Sequence, residues 1–538
     1  MMAGVVALAL LATSAAGVAA RSPRVSRAPA SNTFVWAVSE NPDSLVPEMG
    51  YLLVDYITTD VLMYDGLVRL GLNGQWQPDL ATKWHTNANG TQWTFYLRHG
   101  VRWNDGQPFT AADVVETWKF NTNPAIKHSY VTGWNLIKSV ATPNQYEVVF
   151  NMSQPLGQFL PDIGASAILP AHVFAHLTPT EINDYKYPSA AHPVGTGAYM
   201  LKKWVQNSTL TLVPNPYYWG PKPKISKIVL EVIPDTTTQE LDLESHAVNM
   251  ATVLPQYVAQ AKHWSGVTLY HAINADYELV QLDEMHFLKD LTVRRALNLD
   301  TPKSAIVSKI MKGQAVVAYG DQVPGGIWYD PKLPHPGYNP SEALKMLLAD
   351  GFKKVPSSTA PAGFWLYKGG KRLSVPIWAI AGSTAEDNLA QVEGESWERI
   401  GVYAPVGTLS ISALFAQTGP QFNGKDEALI YSWDQGPFPN DQVSFDWQKY
   451  PCLNANSATD DCSRYNNPVM SKLTQEGAAA VNVAKAKAIY DKIQQLEIST
   501  VPIIFLFWYD SYTGVSSNLH GFKETVYGTT KPWTWSLN

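Results

Sequence analysis

The sequence predicts an α/β fold with mixed sheets, built from more than one domain. Three observations lead to this class. The chain has 538 residues, which is too long for a single ordinary core. Segments that alternate apolar and polar residues take turns along the chain with segments of helical periodicity. Two of the strand-like segments, 198–204 and 209–214, lie close enough in sequence to pair as an antiparallel hairpin, so the sheets should not be purely parallel.

Composition excludes several classes of protein. Hydrophobic residues make up 45% of the chain and charged residues 16%, which is typical of a globular protein and not of a disordered one. The formal net charge is −6, so the chain has no basic surface suited to nucleic acid or anionic lipid. The 19 Trp and 26 Tyr residues fit either a large core or a cleft that stacks aromatic rings against a ligand.

The N-terminal half of the chain contains clear element signals. Thr33–Val38 is predicted to be the first strand, and 54–62 a helix that leads into a turn. A further strand is predicted at 92–98. Thr110 and Asp113 have the spacing of a reciprocal cap, so a helix should begin there.

The C-terminal half continues the alternation. Helices are predicted at 293–299, 340–348, 385–400 and 485–499. The last of these precedes a strongly apolar strand at 502–508, which fits a buried strand of a sheet.

The first residues of the chain resemble an export signal. Residues 2–20 are apolar and rich in Ala, and they end in small residues before the polar stretch 21–31. We expect cleavage after about Ala20, a linker at 21–31 and an exported mature protein. A membrane anchor is the alternative, but the stretch is diluted by Gly and Ala and is marginal in length.

The two cysteines, Cys452 and Cys462, lie in one polar segment. An even number in an exported chain predicts a disulfide between them. No cysteine lies near the N-terminus, so we expect no lipid-modified anchor. The predicted location is therefore the periplasm, the cell envelope or the extracellular space.

Several short motifs occur in a fixed order, and their order is more informative than any one of them. The first four are Tyr-Asp-Gly-Leu at 64–67, Pro-Asp-Leu-Ala-Thr-Lys-Trp at 78–84, Thr-Phe-Tyr-Leu-Arg-His-Gly-Val-Arg-Trp-Asn-Asp-Gly at 94–106, and Pro-Val-Gly-Thr-Gly-Ala-Tyr at 193–199. Later segments at 215–220, 291–298, 338–343 and 463–468 fit the same order. Over roughly 33–525 the chain resembles family 5 of the extracellular solute-binding proteins of ABC transporters, the group of peptide and nickel binders.

The resemblance implies a fold and a division into lobes. The fold would be that of the periplasmic binding proteins of type II, with two lobes joined by a hinge and a third lobe added. A solute would bind in a cleft between lobes I and III, and hinge motion would close it. The implied boundaries are 32–70 with 193–280 and 510–538 for lobe I, 71–192 for lobe II, and 281–509 for lobe III.

The resemblance also implies a set of ligand contacts. They are Tyr51, Leu53, Tyr431, Ser432, Trp433, Asp434, Gln435, Gly436, Trp508 and Tyr509. In peptide-binding members a carboxylate in this loop pairs with the α-ammonium group of the ligand, and such a contact is strong in a dry cleft. Here Asp434 directly follows Trp433, and Gly436 stands where the family carries its Asp. Asp434 could therefore bind the ligand or cap the loop.

The favoured function is that of the substrate-binding component of an ABC importer, and the favoured substrate is an oligopeptide. We expect a monomer that works with permease subunits and carries no cofactor, no metal ion and no catalytic residue. A binder of oligosaccharides or other amphipathic solutes is the alternative, motivated by the aromatic content and the shifted Asp434. Nickel or haem is a weaker option because the histidines are scattered. A secreted hydrolase is the least favoured alternative, because the sequence contains no recognisable catalytic motif.

Overall fold

The structure is a computed structural model that describes residues 32–50, 52–128, 133–184, 193–414, 419–420, 425, 427–434, 438–439, 465 and 467–538. The predicted signal segment, its linker, Cys452 and Cys462 lie outside these residues. Within the described part of the chain, no helix combines the length and the apolar character needed to cross a bilayer.

Thirteen α-helices are described. They are α1 Leu53–Tyr56, α2 Ala111–Thr122, α3 Ala171–Phe174, α4 Pro179–Asn183, α5 Thr236–Glu244, α6 Val258–Ala261, α7 Leu291–Leu299, α8 Lys303–Ala305, α9 Pro340–Ala349, α10 Thr384–Arg399, α11 Ile411–Leu414, α12 Pro468–Ala478 and α13 Val483–Thr500. Short π-helical segments extend α1 and α8, at Ile57–Met63 and Ile306–Ile310.

The first twelve strands are β1 Thr33–Val38, β2 Val68–Leu70, β3 Trp76–Pro78, β4 Ala81–Thr86, β5 Gln92–Leu97, β6 Ile137–Asn144, β7 Glu147–Met152, β8 Tyr199–Val205, β9 Thr209–Pro214, β10 Lys227–Val232, β11 Met250–Thr252 and β12 Val267–Leu282. The remaining strands are β13 Ala315–Val317, β14 Lys353–Pro356, β15 Phe364–Lys368, β16 Lys371–Arg372, β17 Ile377–Ile380, β18 Val406–Leu409, β19 Ala428–Asp434, β20 Ile503–Ser516, β21 Leu519–His520, β22 Glu524–Thr525, β23 Gly528–Thr529 and β24 Ser536–Leu537.

The described residues divide into two compact units. Unit 1 comprises Ile273–Gly477 and Ala486–Asp510, and unit 2 comprises 32–272, 478–485 and 511–538. The boundary falls within β12 and within β20, so both strands contribute residues to each unit.

Unit 2 contains a mixed sheet and a separate antiparallel sheet. In the mixed sheet β1 pairs in parallel with β10 and β11, while the β8–β9 hairpin continues the sheet beyond β10. The antiparallel sheet has the order β4-β5-β7-β6 and covers its own apolar cluster, which includes Phe95, Trp103 and Phe150. The antiparallel pairing of β8 with β9 confirms the hairpin predicted from the sequence.

Unit 1 is organised around a mixed sheet of order β18-β17-β19-β12-β20. Strand β17 runs parallel to β18 and β19, whereas β12 and β19 are antiparallel. Helices α7, α9 and α10 supply Val293, Leu347 and Trp397 to the core beside this sheet. Mixed parallel and antiparallel pairing confirms the predicted α/β class.

The first two sequence motifs form a polar cluster in unit 2. The indole Nε1 of Trp219 donates a 2.9 Å hydrogen bond to the buried carboxyl of Asp65, and Arg69 forms a 3.2 Å ion pair with the buried Asp79. Arg98 lies over the Trp219 ring at 4.2 Å and donates to the Asp79 carbonyl. The buried carboxyl groups of these motifs therefore have hydrogen-bond and ion-pair partners inside the fold.

Close approach explains the glycines of the fourth motif. Neither Gly195 nor Gly197 has a positive φ. A Cβ on Gly195 would instead lie 2.0 Å from the Met63 carbonyl oxygen, and Gly197 donates its N–H to that oxygen at 2.8 Å. The motif is glycine-rich because two backbone segments pack directly together.

Most predicted elements are present with small shifts at their ends. Thr110 and Asp113 form the predicted reciprocal cap of α2, and Asp113 also accepts from the Ala171 N–H at 2.8 Å. The predicted helix at 54–62 is a short α-helix followed by a π-helical segment. The sequence reading missed β12, because Asn274 and Asp276 interrupt its apolar alternation.

Candidate functional site

Strand β19, in the middle of the unit 1 sheet, carries four of the expected ligand contacts, at positions 431–434. It pairs antiparallel with β12, so that Trp433 lies opposite Tyr277 and Ser432 opposite Glu278. Because successive residues of a strand point to opposite faces, Tyr431 and Trp433 share one face, and Ser432 shares the other with Glu278. These predicted contacts therefore cannot all face the same side of the sheet.

On the first face, Tyr431 is buried and Trp433 is half-buried. The Tyr431 hydroxyl donates a 2.5 Å hydrogen bond to the side-chain oxygen of Gln281. The Trp433 indole N–H has no hydrogen-bond partner among the described residues. A half-buried Trp with a free donor can contact both an apolar surface and a polar group of a ligand.

The other predicted aromatic contacts lie on β20. Trp508 is buried, with 1% of its surface exposed, and its ring lies 4.9 Å from that of Tyr277. Tyr509 is half-buried, and its hydroxyl donates a 2.6 Å hydrogen bond to Glu278 Oε2. In this conformation Trp508 is thus a core side chain, whereas Tyr509 lies at the edge of the core.

Glu278 is the polar residue that the sequence reading missed. Its side chain is fully buried on β12, and its Oε1 has no hydrogen-bond partner among the described residues. Burial first and the negative charge of Glu386 second raise the pKa of Glu278 to about 8, and the hydrogen bond from Tyr509 opposes the shift. The signal that could have indicated it is an acidic residue in the largely apolar run 277–282, where Gln281 is the other polar residue.

Glu386 is the second carboxyl of this region. It lies in the first turn of α10, where its Oε2 accepts the Ile380 N–H at 3.0 Å. Burial raises its pKa to about 7, and Asp387 acts in the same direction. Two acidic groups with raised pKa values therefore lie within electrostatic reach of Tyr509 and β12.

Several predicted contacts cannot be placed. Tyr51, Gln435 and Gly436 lie outside the described residues. Asp434 is described as the last residue of β19, in register with Asp276 on β12. Its role as an ammonium partner or as a loop cap remains a prediction.

The remaining predicted contact, Leu53, is in unit 2. It begins α1 and is 74% exposed. Asp55 fixes the preceding segment, since its carboxyl accepts the N–H groups of Asp43 and Leu52 at 2.8 Å each. Nearby Glu48 has a φ of 63°, which is unusual for a residue other than glycine. The segment around Leu53 is thus held in a defined conformation with an apolar side chain exposed.

In the described part of the chain, the histidines and acidic residues do not assemble a metal centre. There, no group of three or more such side chains is arranged to hold an ion.

A sequence profile described as bacterial extracellular solute-binding proteins, family 5 Middle, matches residues 75–452. The match covers more than half of the chain. The protein belongs to this family. It is accordingly the substrate-binding component of an ABC importer, as the sequence motifs predicted.

Two curated relatives show how far the similarity extends. The oligopeptide-binding protein AppA of Bacillus subtilis is 25% identical over 455 residues, covering 82% of this chain and 81% of AppA. The dipeptide-binding protein of Escherichia coli is 22% identical over 524 residues, covering 91% of this chain and 92% of its own. The similarity therefore extends over nearly the whole family fold.

A solved structure supports the fold independently of close sequence similarity. NikZ of Campylobacter jejuni, solved in complex with Ni(L-His), superimposes with a TM-score of 0.74 over 94% of this chain and all of its own. The sequence identity is 23%, so this likeness establishes the architecture alone. The expected periplasmic-binding-protein fold is confirmed.

Proposed function

We propose that this family 5 protein captures an oligopeptide outside the cytoplasmic membrane and delivers it unchanged to permease subunits. Two relatives that match most of the chain, AppA and the dipeptide-binding protein of Escherichia coli, are described as binders of oligopeptides and dipeptides. The observation that carries the proposal is the end of β19, where half-buried Ser432 and Trp433 lead directly into Asp434. Trp433 can offer an aromatic surface to a ligand, and Asp434 adds a carboxylate residue at the end of the same strand.

A peptide suits this arrangement for a chemical reason. Its backbone carries donors and acceptors that need partners once water is excluded, and its ammonium group needs a negative charge. The Trp433 N–H is one available donor. Asp434 is the proposed partner of the ammonium group.

The first test is a thermal-shift screen with di- to hexapeptides and oligosaccharides, after denaturation and refolding to remove any bound solute. A true ligand at a hundredfold its Kd stabilises the native state by about 2.7 kcal/mol. We expect peptides to raise the melting temperature and sugars to leave it unchanged. A shift with sugars alone would contradict the proposal.

The second test addresses Asp434. Asp434→Ala should weaken binding of free-amine peptides, because their ammonium group loses its partner in a desolvated site. Glu395→Ala is the control, since Glu395 is an exposed carboxylate on α10 of the same unit. Equal affinity of the wild-type protein for free and N-acetylated peptides would exclude the ammonium contact.

An oligosaccharide binder is the second candidate, and the aromatic face of β19 favours it. Trp433 is half-buried on that face, above the fully buried Tyr277, and sugars stack on partly exposed rings of this kind. In this case Trp433→Ala should abolish binding of cello- or manno-oligosaccharides, and Asp434→Ala should have little effect.

A further inference from the structure

The carboxyl of Glu278 has an unusual position for an acidic group. It is fully buried on β12, and the Tyr509 hydroxyl is bonded to its Oε2 at 2.6 Å. Its Oε1 has no hydrogen-bond partner among the described residues. Leaving a buried carboxyl oxygen without a partner is costly, so such groups call for an explanation.

The charges that act on Glu278 are negative. The electrostatic neighbour that shifts its titration is Glu386, which itself is influenced by Asp387. Asp276 adds a further negative charge near Tyr509. Buried carboxylates are normally paired with a cation; here the groups that perturb Glu278 provide none.

Glu278 lies where the core of unit 1 meets its surface. Along the same face of β12, Val280 and Leu282 belong to the apolar core, whereas Asp276 is half-buried. The opposing Ser432 on β19 and the neighbouring Tyr509 are also half-buried. The carboxyl is therefore one residue pair away from a partly exposed polar edge that adjoins the proposed ligand strand.

We propose that Glu278 is a specificity-determining residue that accepts a cationic group of the solute, a primary ammonium or a guanidinium. Tyr509 holds one carboxyl oxygen in place, the other is available to the cation, and Glu386 adds a second negative charge. The inference rests on the proposed function, because it assigns a ligand class to the same β19 site. It differs from the Asp434 contact in the residue and the strand.

The physical basis is an exchange of a proton for a ligand charge. At neutral pH a carboxyl with a pKa of about 8 is largely protonated. A cation placed against it favours the ionised form, so the proton leaves as the solute binds. The groups next to Glu278 on the packed elements are Tyr509 on β20, Glu386 on α10 and its register partner Ser432 on β19. Asp387 acts on Glu386, and Asp276 acts on Tyr509.

The experiment compares charged and neutral versions of the same ligand by titration calorimetry. The probes are tetrapeptides with Lys at each position in turn, and counterparts in which norleucine replaces Lys. Each is used with a free and with an acetylated N-terminus, and agmatine serves as a cationic compound that is not a peptide. We expect tighter binding of a Lys peptide than of its norleucine counterpart.

The variant is Glu278→Gln, which keeps the size and a hydrogen-bond acceptor for Tyr509 but cannot carry a negative charge. We expect it to weaken binding of the cationic ligand roughly 10- to 100-fold, as for loss of a charge-assisted bond, and to leave the neutral counterpart unaffected. Glu393→Gln is the matched control. Glu393 is equally buried in unit 1, and burial likewise raises its pKa to about 8.

A measurement on the wild-type protein covers the case in which Glu278→Gln does not fold. Binding of the cationic ligand at pH 7 is measured in buffers of different ionisation enthalpy. We expect the observed enthalpy to reveal release of up to about one proton. An enthalpy independent of the buffer would overturn the inference.

The outcomes separate this inference from the proposed function. If peptides bind irrespective of charge, or if Glu278→Gln weakens charged and neutral ligands alike, the peptide function stands and the role of Glu278 is refuted. If agmatine binds in a Glu278-dependent manner but peptides do not bind, the inference stands and the peptide function is refuted. Absence of binding by every probe would contradict both.

Discussion

The hydroxyl of Tyr509 donates a 2.6 Å hydrogen bond to the carboxyl of Glu278, across 231 positions of sequence. The bond joins β20 to β12 at the edge of the unit 1 core. Burial and the adjacent Glu278 raise the pKa of Tyr509 well above its ordinary value, so the phenol remains the donor. The pair shows that the predicted contact Tyr509 has a structural partner that the sequence did not indicate.

Tyr509→Phe should destabilise the protein, because Glu278 then loses its hydrogen-bond donor while staying buried. We expect a decrease in the free energy of unfolding of about 1–3 kcal/mol. Urea unfolding measures it, with Tyr217→Phe as the control because Tyr217 is 47% exposed. Equal free energies of unfolding for the two variants would show that the hydrogen bond between Tyr509 and Glu278 makes no net contribution to stability.

Trp219→Phe should remove the donor that satisfies buried Asp65. The expected decrease in the free energy of unfolding is about 1–3 kcal/mol. Trp118→Phe is a suitable control, since the Trp118 indole N–H has no partner among the described residues. If both substitutions cost the same, the effect comes from the lost ring and not from the hydrogen bond.

Gly195→Ala should be strongly destabilising, since its Cβ would lie 2.0 Å from the Met63 carbonyl oxygen. Backbone atoms would have to move, and overpacking of this kind costs about 1–3 kcal/mol or more. Gly337→Ala is the control, because no atom lies within 4 Å of its Cβ position. Thermal unfolding of the two variants distinguishes close packing from a general intolerance of substitution.

Asp300→Asn should flatten the dependence of stability on pH. Burial raises the pKa of Asp300 from 3.8 to about 8, with Arg399 and Ser396 acting against the shift. The folded state therefore holds this proton more tightly than the unfolded chain. Protonation of Asp300 therefore stabilises the folded state. This stabilisation is complete below about pH 3.8, the pKa in the unfolded chain, and is lost as the pH rises through about 8, the pKa in the folded state.

The measurement for Asp300 is the urea midpoint at pH 5 and pH 8. The wild-type protein should lose on the order of a few kcal/mol more than Asp300→Asn between these values. Glu395→Gln, an exposed substitution, should keep the wild-type dependence. An unchanged slope in Asp300→Asn would show that other groups dominate.

Local sequence patterns predicted much of the fold. The α2 cap and the β8–β9 hairpin follow from a few neighbouring residues, because capping and alternation are short-range effects. The ordered motifs identified the family for a related reason. Asp65, Trp219 and Gly195 belong to those motifs, and in this chain they make a buried hydrogen bond and a close backbone contact.

The sequence by itself determined the α/β class, the family and therefore the solute-binding role. Only the tertiary structure decided which of the candidate residues share a face of the sheet, and that Glu278 joins them. The physical reason is that β12 is identified as a strand by its pairing with β19 and β20 and not by its own sequence pattern. A local pattern can draw attention to Glu278, but its strand pairing and its burial depend on residues more than a hundred positions away.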